Sequence, residues 1–597
     1  MAASVERDVT QAQLAKLSAA TLQHTPGQRY TVGDRLEERA AAHPQRPFLF
    51  YEDRVVSYGE LNAGANRVAH WARGEALGTG DVVALMMENR PEFLVTWMGL
   101  AKLGVVVALL NTNARGRALR HALEVTGARR AVVGSECAEA LESLDGNVDI
   151  RIAPDAGHAE TDLSRALAAM PTENPDPSLR SELRAGMDLF NVFTSGTTGL
   201  PKAARLSHMR YLGVGDGVSA IAGYTPEEVI ACVLPLYHGA GGMVVVSCAL
   251  AQGAAIFLRR RFSASAFWDD ARRYNVTACQ YIGEICRYLM NQPPRPDDRD
   301  HSVRVLMGAG LGADIWGPFR ERFGIERILE GWSSTEANTS LMNVDNRPGS
   351  CGRIPYKEMH NGRLVRYDPD TDSHPRDAEG FLAECEAGEV GEFIGMIPDM
   401  PDSGAGRFEG YTSAEETEKK ILRDVFRKGD AWYRSGDLLR RDEDDYFYFV
   451  DRVGDTFRWK SENVSTLEVA EALAGFPGVE IANVYGVRVP AHEGRAGMAA
   501  LVLADPTAST AFDGAAFFAF TEEHLPRYAA PVFVRLQPEP DITTTFKLRK
   551  VDLQRQGYGA DVEDSLYVRD ETLRAYVPVD AEALERAGLP PFESDTG

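Results

Sequence analysis

No Cys-x-x-Cys pair, no signal-like apolar stretch near the N-terminus and no unbroken apolar run of membrane length occur in this 597-residue sequence, and each absence argues against a class of protein. The seven cysteines (137, 232, 248, 279, 286, 351 and 385) are scattered and odd in number, which reads as reduced, mostly buried thiols rather than a disulfide framework or structural zinc. The N-terminal stretch MAASVERDVTQAQLAKL lacks an apolar core, so secretion is not expected and a cytoplasmic place is. The most apolar window, Phe93 to Leu110, is interrupted by Lys102 and Gly104, which suits a helix followed by a buried strand better than a membrane span. Positive charge is scarce as well: 64 Lys and Arg against 87 Asp and Glu leave a net −23. A nucleic-acid surface is therefore not expected, and an anionic ligand must be met by a local cluster of Lys, Arg and backbone N–H groups.

What is present is an ordinary globular composition, 44% hydrophobic and 25% charged, over a length that calls for two or more domains. From Val82 to about Glu330, short apolar runs alternate with amphipathic segments: VVALMM, PEFLVTWMGLAKLG, VVVALL, RGRALRHALEVTG, ARRAVVG, and later VIACVLPL, AAIFLRR, VTACQYI and VRVLMGAG. This βα rhythm predicts an α/β fold of mainly parallel sheets flanked by helices. Pro171 to Pro177 and Pro293 to Asp300 read as loops. After Gly349 the texture turns β-rich (GRLVRYD, GEVGEFIGM, YFYFVDR). Past Asp451 a helix over Thr466–Ala474, strands VEIANVYGV and AALVLA, a helix near Phe512–His524 and the strand PVFVRL form a compact α+β unit. The expected division is a large domain over 1–451, with a β-rich subdomain at about 350–450, and a small domain over 452–597.

The chain is organised around NVFTSGTTGLPKAARLSH, Asn191 to His208. A strand running into Thr194-Ser195-Gly196-Thr197-Thr198-Gly199 offers backbone N–H groups, hydroxyls, close-approach glycines and then Lys202, which together make a phosphate grip. Pro201 stands before the lysine, so this is not the Gly-x-x-x-x-Gly-Lys-Ser/Thr loop that opens a helix. EGWSSTEAN, Glu330 to Asn338, adds Trp332 as a purine platform and Glu336 as a hard oxygen ligand for Mg²⁺. YRSGD places Asp437 after a glycine turn, suited to the two hydroxyls of a ribose. DRVGDTFRWKSENVST concentrates Arg452, Arg458 and Lys460 in a very acidic chain. TTTFKLRK puts Lys547 in a threonine-rich loop. Taken singly, each segment also has a bland reading as a surface loop, a core tryptophan or a solvated charged hairpin.

In this order the segments resemble the acyl-CoA synthetase, or adenylate-forming, superfamily. Within it they resemble the fatty acid transport protein/very-long-chain acyl-CoA synthetase branch, whose signs are DRVGDTFRWKSENVST, QYIGEICRYLMNQPP and GLAKLGVVVALLNTNARG. The similarity runs from about Tyr58 to the C-terminus. It implies a large adenylation domain and a small mobile lid domain, with ATP, Mg²⁺ and CoA as reaction partners. Thr194 to Lys202 would hold the β- and γ-phosphates. Trp332 would lie against adenine with Ser333 and Gly310 beside it, Thr335 at the α-phosphate, and Glu336 with Thr194 at Mg²⁺. Asp437 would bind ribose, Arg452 would follow it at the domain boundary, and Lys547 would bridge carboxylate and α-phosphate.

LPLYHGAGG matches the family's aromatic–histidine loop, so Tyr237 and His238 are expected near the reacting carboxylate. Tyr281, Gly283, Gly308 and Ala309 are expected to bound the acyl pocket, the small residues leaving room for a chain. Gly454, Asp455, Arg458 and Lys460 would serve the CoA side and the hinge. Two positions depart from the commoner pattern: Ser333 replaces a glycine, and Gly454 stands at the pivot, where either it or Asp455 is the hinge. The implied substrate is a long or very long fatty acid. Alternatives are a bile-acid, steroid or carnitine-like acid, or fatty-acid uptake coupled to activation, with peripheral membrane contact and a homodimer as further expectations.

Overall fold

The computed structural model describes residues 2–144, 148–153, 162–194, 200–368, 371–453, 455–459, 462–490, 492, 494–504, 512–542, 548–559 and 564–590. They divide into two units, Met1–Gly362 with Ile394–Arg434, and Arg363–Phe393 with Ser435–Gly597. This line differs from one drawn at Asp451/Arg452. In the second unit, strand pairing gathers residues far apart in sequence, so Leu364, Glu392, Asp437 and Phe449 lie on strands of one sheet.

The first unit is α/β, as the rhythm of the sequence predicts. One of its sheets runs Asp149–Ala153, Arg130–Gly134, Val82–Met86, Val106–Leu109, Asp188–Thr194, Lys202–Ser207, all parallel except the last, antiparallel pair. The other runs Leu341–Asn343, Arg327–Trp332, Val305–Ala309, Ala278–Ile282, Val229–Cys232, Ala255–Leu258, Pro47–Tyr51, Arg54–Ser57, parallel inside and antiparallel at both ends. Strands covered by helices on both faces are nearly all apolar, hence the uninterrupted Val, Ile and Leu runs.

The GLAKLG segment has a packing reason. The helix Pro91–Ala101 crosses Tyr58–Gly74 so closely that a Cβ on Gly99 would sit 2.4 Å from the Ala65 carbonyl oxygen, and Gly104 turns the chain with φ +72°. The long helix Ala2–Leu22, which the sequence rhythm did not reveal, packs on His208–Ala222 where Gly213 and Gly217 face Thr21.

The second unit contains the strands Tyr446–Arg452, Phe457–Trp459 and Glu462–Val464 and a five-stranded sheet beginning with Val479–Val487 and Ala496–Leu503. The helices Thr466–Leu473 and Gly514–His524 pack on that sheet. Among the described residues no helix is long and apolar enough to cross a membrane.

Candidate active site

The two strands that carry the phosphate-grip sequence are antiparallel neighbours in which Thr194 pairs with Lys202. A strand, not a helix, begins at Lys202. Ser195, Gly196, Thr197, Thr198 and Gly199 lie outside the described residues. Lys202 is four-fifths buried and ion-paired to Glu416, itself 23% exposed. The Glu416 carboxyl is held below its usual range by Lys202 first and Lys419 second.

Glu416 lies on the short helix Ala414–Glu418, whose start is capped by the Ser413 hydroxyl, 3.3 Å from the Glu416 N–H. The chain ahead of this helix runs along the Lys202–Ser207 strand: Arg205 N–H donates to the Gly410 carbonyl and Thr412 N–H to the Ala203 carbonyl, both at 3.0 Å. That register puts Tyr411 beside Glu336. Its hydroxyl donates to Glu336 Oε1 at 2.8 Å and also hydrogen-bonds Thr194; burial and the nearby Glu336 carboxylate raise it well above the usual phenol range.

Glu336 is 7% exposed, and its other oxygen, Oε2, is buried with no hydrogen-bond partner among the described residues. Leaving a carboxylate oxygen dry and unpaired costs about 1–3 kcal/mol or more, a cost that a bound cation or a hydrogen-bond donor would relieve. Among the described residues no group of three or more His, Cys, Asp or Glu forms a metal cluster. A single buried carboxylate is a donor of the kind Mg²⁺ takes, since that ion binds one or two carboxylates and completes its shell with phosphate oxygens and water. Arg210 fixes the turn behind Glu336 by donating to the Glu336 and Ala337 carbonyls at 3.4 and 2.5 Å. The hydroxyls of Ser334 and Tyr433 are hydrogen-bonded at 3.0 Å. Trp332 is buried at 6% exposure within the strand Arg327–Trp332, whereas Ser333 is exposed, its hydroxyl donating to the Ser334 carbonyl at 3.3 Å.

Three adjacent parallel strands end side by side and deliver the rest of this face: Ala278–Ile282, Val305–Ala309 and Arg327–Trp332. Strand ends of this kind are where open α/β sheets bind ligands. A Cβ on Gly283 would collide with the Gly310 carbonyl, and one on Gly308 would lie 2.7 Å from the Tyr281 ring. The space freed by the absent side chain at Gly308 is thus taken by Tyr281, while Ala309 and Gly310, with φ +85° at the latter, are exposed.

Glu330, buried and unassigned by the sequence reading, accepts hydrogen bonds from the Tyr281 hydroxyl and the Gly310 N–H, with Leu311 N–H at 3.4 Å; burial pushes its carboxyl up to about 7. Tyr237 is 8% exposed, and His238 Nδ1 accepts from Ala240 N–H at 3.4 Å to open the π-helical turn Gly239–Val245. A Cβ on Gly239 would lie 3.4 Å from Thr335 Oγ1, so this loop does reach the Trp332–Glu336 segment.

In the second unit Asp437 and Arg452 face each other across two antiparallel strands, Arg452 Nε to Asp437 Oδ1 3.6 Å. Gly436 has φ +80°, but it sits inside the eleven-residue strand Ala431–Arg441 rather than at a turn, and its N–H is held by the buried Glu392 at 2.7 Å. Asp455 Oδ2 lies 3.4 Å from Lys550 Nζ, which also donates to Thr466 Oγ1 at 2.7 Å. Arg458 is in the strand Phe457–Trp459. Gly454, Lys460 and Lys547 fall outside the described residues.

Comparison with known proteins settles the family. Residues 36–382 match the model of the AMP-binding enzymes. The chain belongs to that family. As an AMP-binding enzyme it is 41% identical over 556 residues to long-chain fatty acid transport protein 2 of Rattus norvegicus, covering 91% of this chain and 88% of that one. It is 39% identical over 571 residues to the medium/long-chain-fatty-acid–CoA ligase FadD6 of Mycobacterium tuberculosis, covering 94% and 92%. Its fold is like that of ATP-bound MatB from Rhodopseudomonas palustris, with a TM-score of 0.73 at 21% identity over 88% of this chain and 98% of that one.

Tyr411, Glu416 and Glu330 stand among the groups of the candidate site and are not singled out in the sequence. A signal for the first two is present in GYTSAEETEKK, a tyrosine ahead of an acidic run, and for Glu330 in a carboxylate set directly after the apolar pair Ile328–Leu329.

Proposed function

We propose that this AMP-binding enzyme is an ATP-dependent acid–CoA ligase that converts a long- or very-long-chain fatty acid to acyl-AMP and then to acyl-CoA. The observation that carries the reading is the convergence at Glu336: a dry carboxylate oxygen in need of a cation, with Thr194 joined to it through Tyr411. The likeness to a long-chain fatty acid transport protein and to a medium/long-chain-fatty-acid–CoA ligase supports the substrate class.

In the first step a carboxylate oxygen of the acid bonds to the α-phosphorus while the bond to the β-phosphate bridge breaks, and pyrophosphate leaves. Two anions meet in this step, so cationic groups at the phosphates lower the barrier. Lys202, with Thr194 and the Ser195–Gly199 stretch, holds the β- and γ-phosphates. Glu336, with Thr194, would hold Mg²⁺, whose charge offsets that gathering on the phosphate oxygens. Lys547 bridges carboxylate and α-phosphate. Trp332, Ser333 and Gly310 border the adenine, Thr335 the α-phosphate, and Asp437 the ribose hydroxyls, with Arg452 next to it. Tyr237, His238, Tyr281, Gly283, Gly308 and Ala309 border the acid.

In the second step the CoA sulfur bonds to the acyl carbon and AMP departs. A hinge at Gly454 or Asp455 turns the domain over 452–597 between the steps, withdrawing Lys547 and presenting Arg458 and Lys460 to CoA. Peripheral membrane contact, cytoplasmic placement and a homodimer belong to the same proposal.

The test is an incubation of purified protein with ATP, Mg²⁺, CoA and carboxylic acids graded by length and bulk, measuring pyrophosphate and thioester. Both products are expected with long-chain acids. Pyrophosphate without thioester limits the enzyme to acyl-AMP formation, and neither product with any acid overturns the reading.

A further inference from the structure

We propose that Glu416 is a built-in stand-in for the nucleotide's phosphates, paired with Lys202 until ATP displaces it, so that this carboxylate sets how readily ATP enters and how readily pyrophosphate leaves. The inference rests on the reading of Lys202 as the phosphate lysine. Among the described residues the ion partner of Lys202 is Glu416, and both side chains are about four-fifths removed from solvent. A polyphosphate brought to that ammonium meets a carboxylate already there, and two anions crowded on one cation in a partly dry site repel strongly. One of them must yield.

Glu416 is equipped to yield. Its Oε1 lies 2.8 Å from Lys419 Nζ, one helical turn along, so it keeps a cation after giving up Lys202. The backbone need not move, because the two hydrogen bonds of Gly410 and Thr412 to the Lys202–Ser207 strand fix the segment. Tyr411 on that same segment holds Glu336 Oε1 and leaves Oε2 open. One short stretch therefore governs both the lysine and the carboxylate that meet the phosphates. AMP, which lacks the β- and γ-phosphates, has no means to displace Glu416. Once pyrophosphate departs, Glu416 returns to Lys202 and resists its rebinding.

The test compares wild type, Glu416→Gln, Lys202→Gln and the double variant in steady-state acyl-CoA synthesis. Glu416→Gln is expected to lower KM for ATP about fivefold, as befits a partly buried ion pair, and to tighten product inhibition by pyrophosphate by a similar factor. KM for the fatty acid and inhibition by AMP stay at the wild-type values. Lys202→Gln raises KM for ATP, and adding Glu416→Gln to it changes nothing further. A KM for ATP that rises in Glu416→Gln, or an AMP affinity that shifts along with ATP, overturns the proposal, as does a Glu416→Gln effect that persists without Lys202. If the wild type makes no acyl-CoA, the ligase reading itself fails instead, and if Lys202→Gln leaves KM for ATP unchanged, the lysine assignment fails.

Discussion

Two lysines exactly one hundred positions apart show how differently one fold treats the same side chain. Lys102, at the end of the helix Pro91–Ala101, is wholly buried; its ammonium meets Glu37 at 2.8 Å, Asn62 at 2.7 Å, Asn66 at 2.6 Å and Asn174 at 3.3 Å. Arg180 closes the group by holding Glu37 at 2.6 Å. Even so, burial outweighs the attraction of Glu37 and pulls the ammonium down to about 8. Lys202 has Glu416 as its ion partner among the described residues and keeps a fifth of its surface open. A cation whose donors are all taken ties elements together and has nothing left for a ligand; a cation with one replaceable partner is ready to exchange it.

The largest expected effect falls on the exchange-ready side. Glu336→Gln removes the dry carboxylate, and acyl-AMP formation should fall by about 10²–10³-fold, comparable to losing one transition-state donor, with the melting temperature unchanged or raised. A loss of stability with normal activity per folded molecule would place Glu336 with Lys102 among the structural groups.

Lys102→Met should do the reverse. It takes the ammonium donor from the buried Asn66 amide oxygen and from the half-buried Asn62 one, and should cost about 3 kcal/mol in urea unfolding, while KM for ATP in the surviving fold stays the same.

A smaller effect separates burial from chemistry within the strand-and-helix unit that begins at Lys202. His208 is fully buried, neither ring nitrogen has a hydrogen-bond partner among the described residues, and burial pulls it down to about 3. The unfolded chain takes up this proton near pH 6.5 and the fold does not, so the unfolded state binds more protons and stability drops as pH falls from 6.5 toward 3. Relative to His208→Phe, the wild type should lose about 2 kcal/mol between pH 7 and 5, read by urea unfolding at both values. Parallel pH profiles would show that the ring is reached by solvent or a donor.

The same contrast explains what was legible in the sequence. Alternating apolar and amphipathic runs report local geometry, so the parallel strands from Val82 to Ala309 and the helices between them follow from pattern alone. The Thr194–Lys202 and Trp332–Glu336 segments stand out because hydroxyls, glycines and charges replace apolar residues at strand ends. Pairing between distant segments leaves no such trace. Tyr411 and Glu416 draw no site reading from the sequence, and it is the Lys202–Ser207 strand that brings them to Glu336 and Lys202. Gly308 reads as room for a ligand until the Tyr281 ring fills it. Trp332 has the right type for a stacking platform, yet the sheet buries most of it. The division of the β-rich region follows strand neighbours that only the folded chain reveals.

Lys202 is assigned to the first half-reaction, and separating the two halves tests that directly. In Lys202→Gln, acyl-AMP formation from ATP and fatty acid, followed by pyrophosphate release, should fall at least tenfold, while thioester formation from supplied acyl-AMP and CoA proceeds at the wild-type rate. Equal loss in both halves, or loss confined to the thioester step, would contradict it.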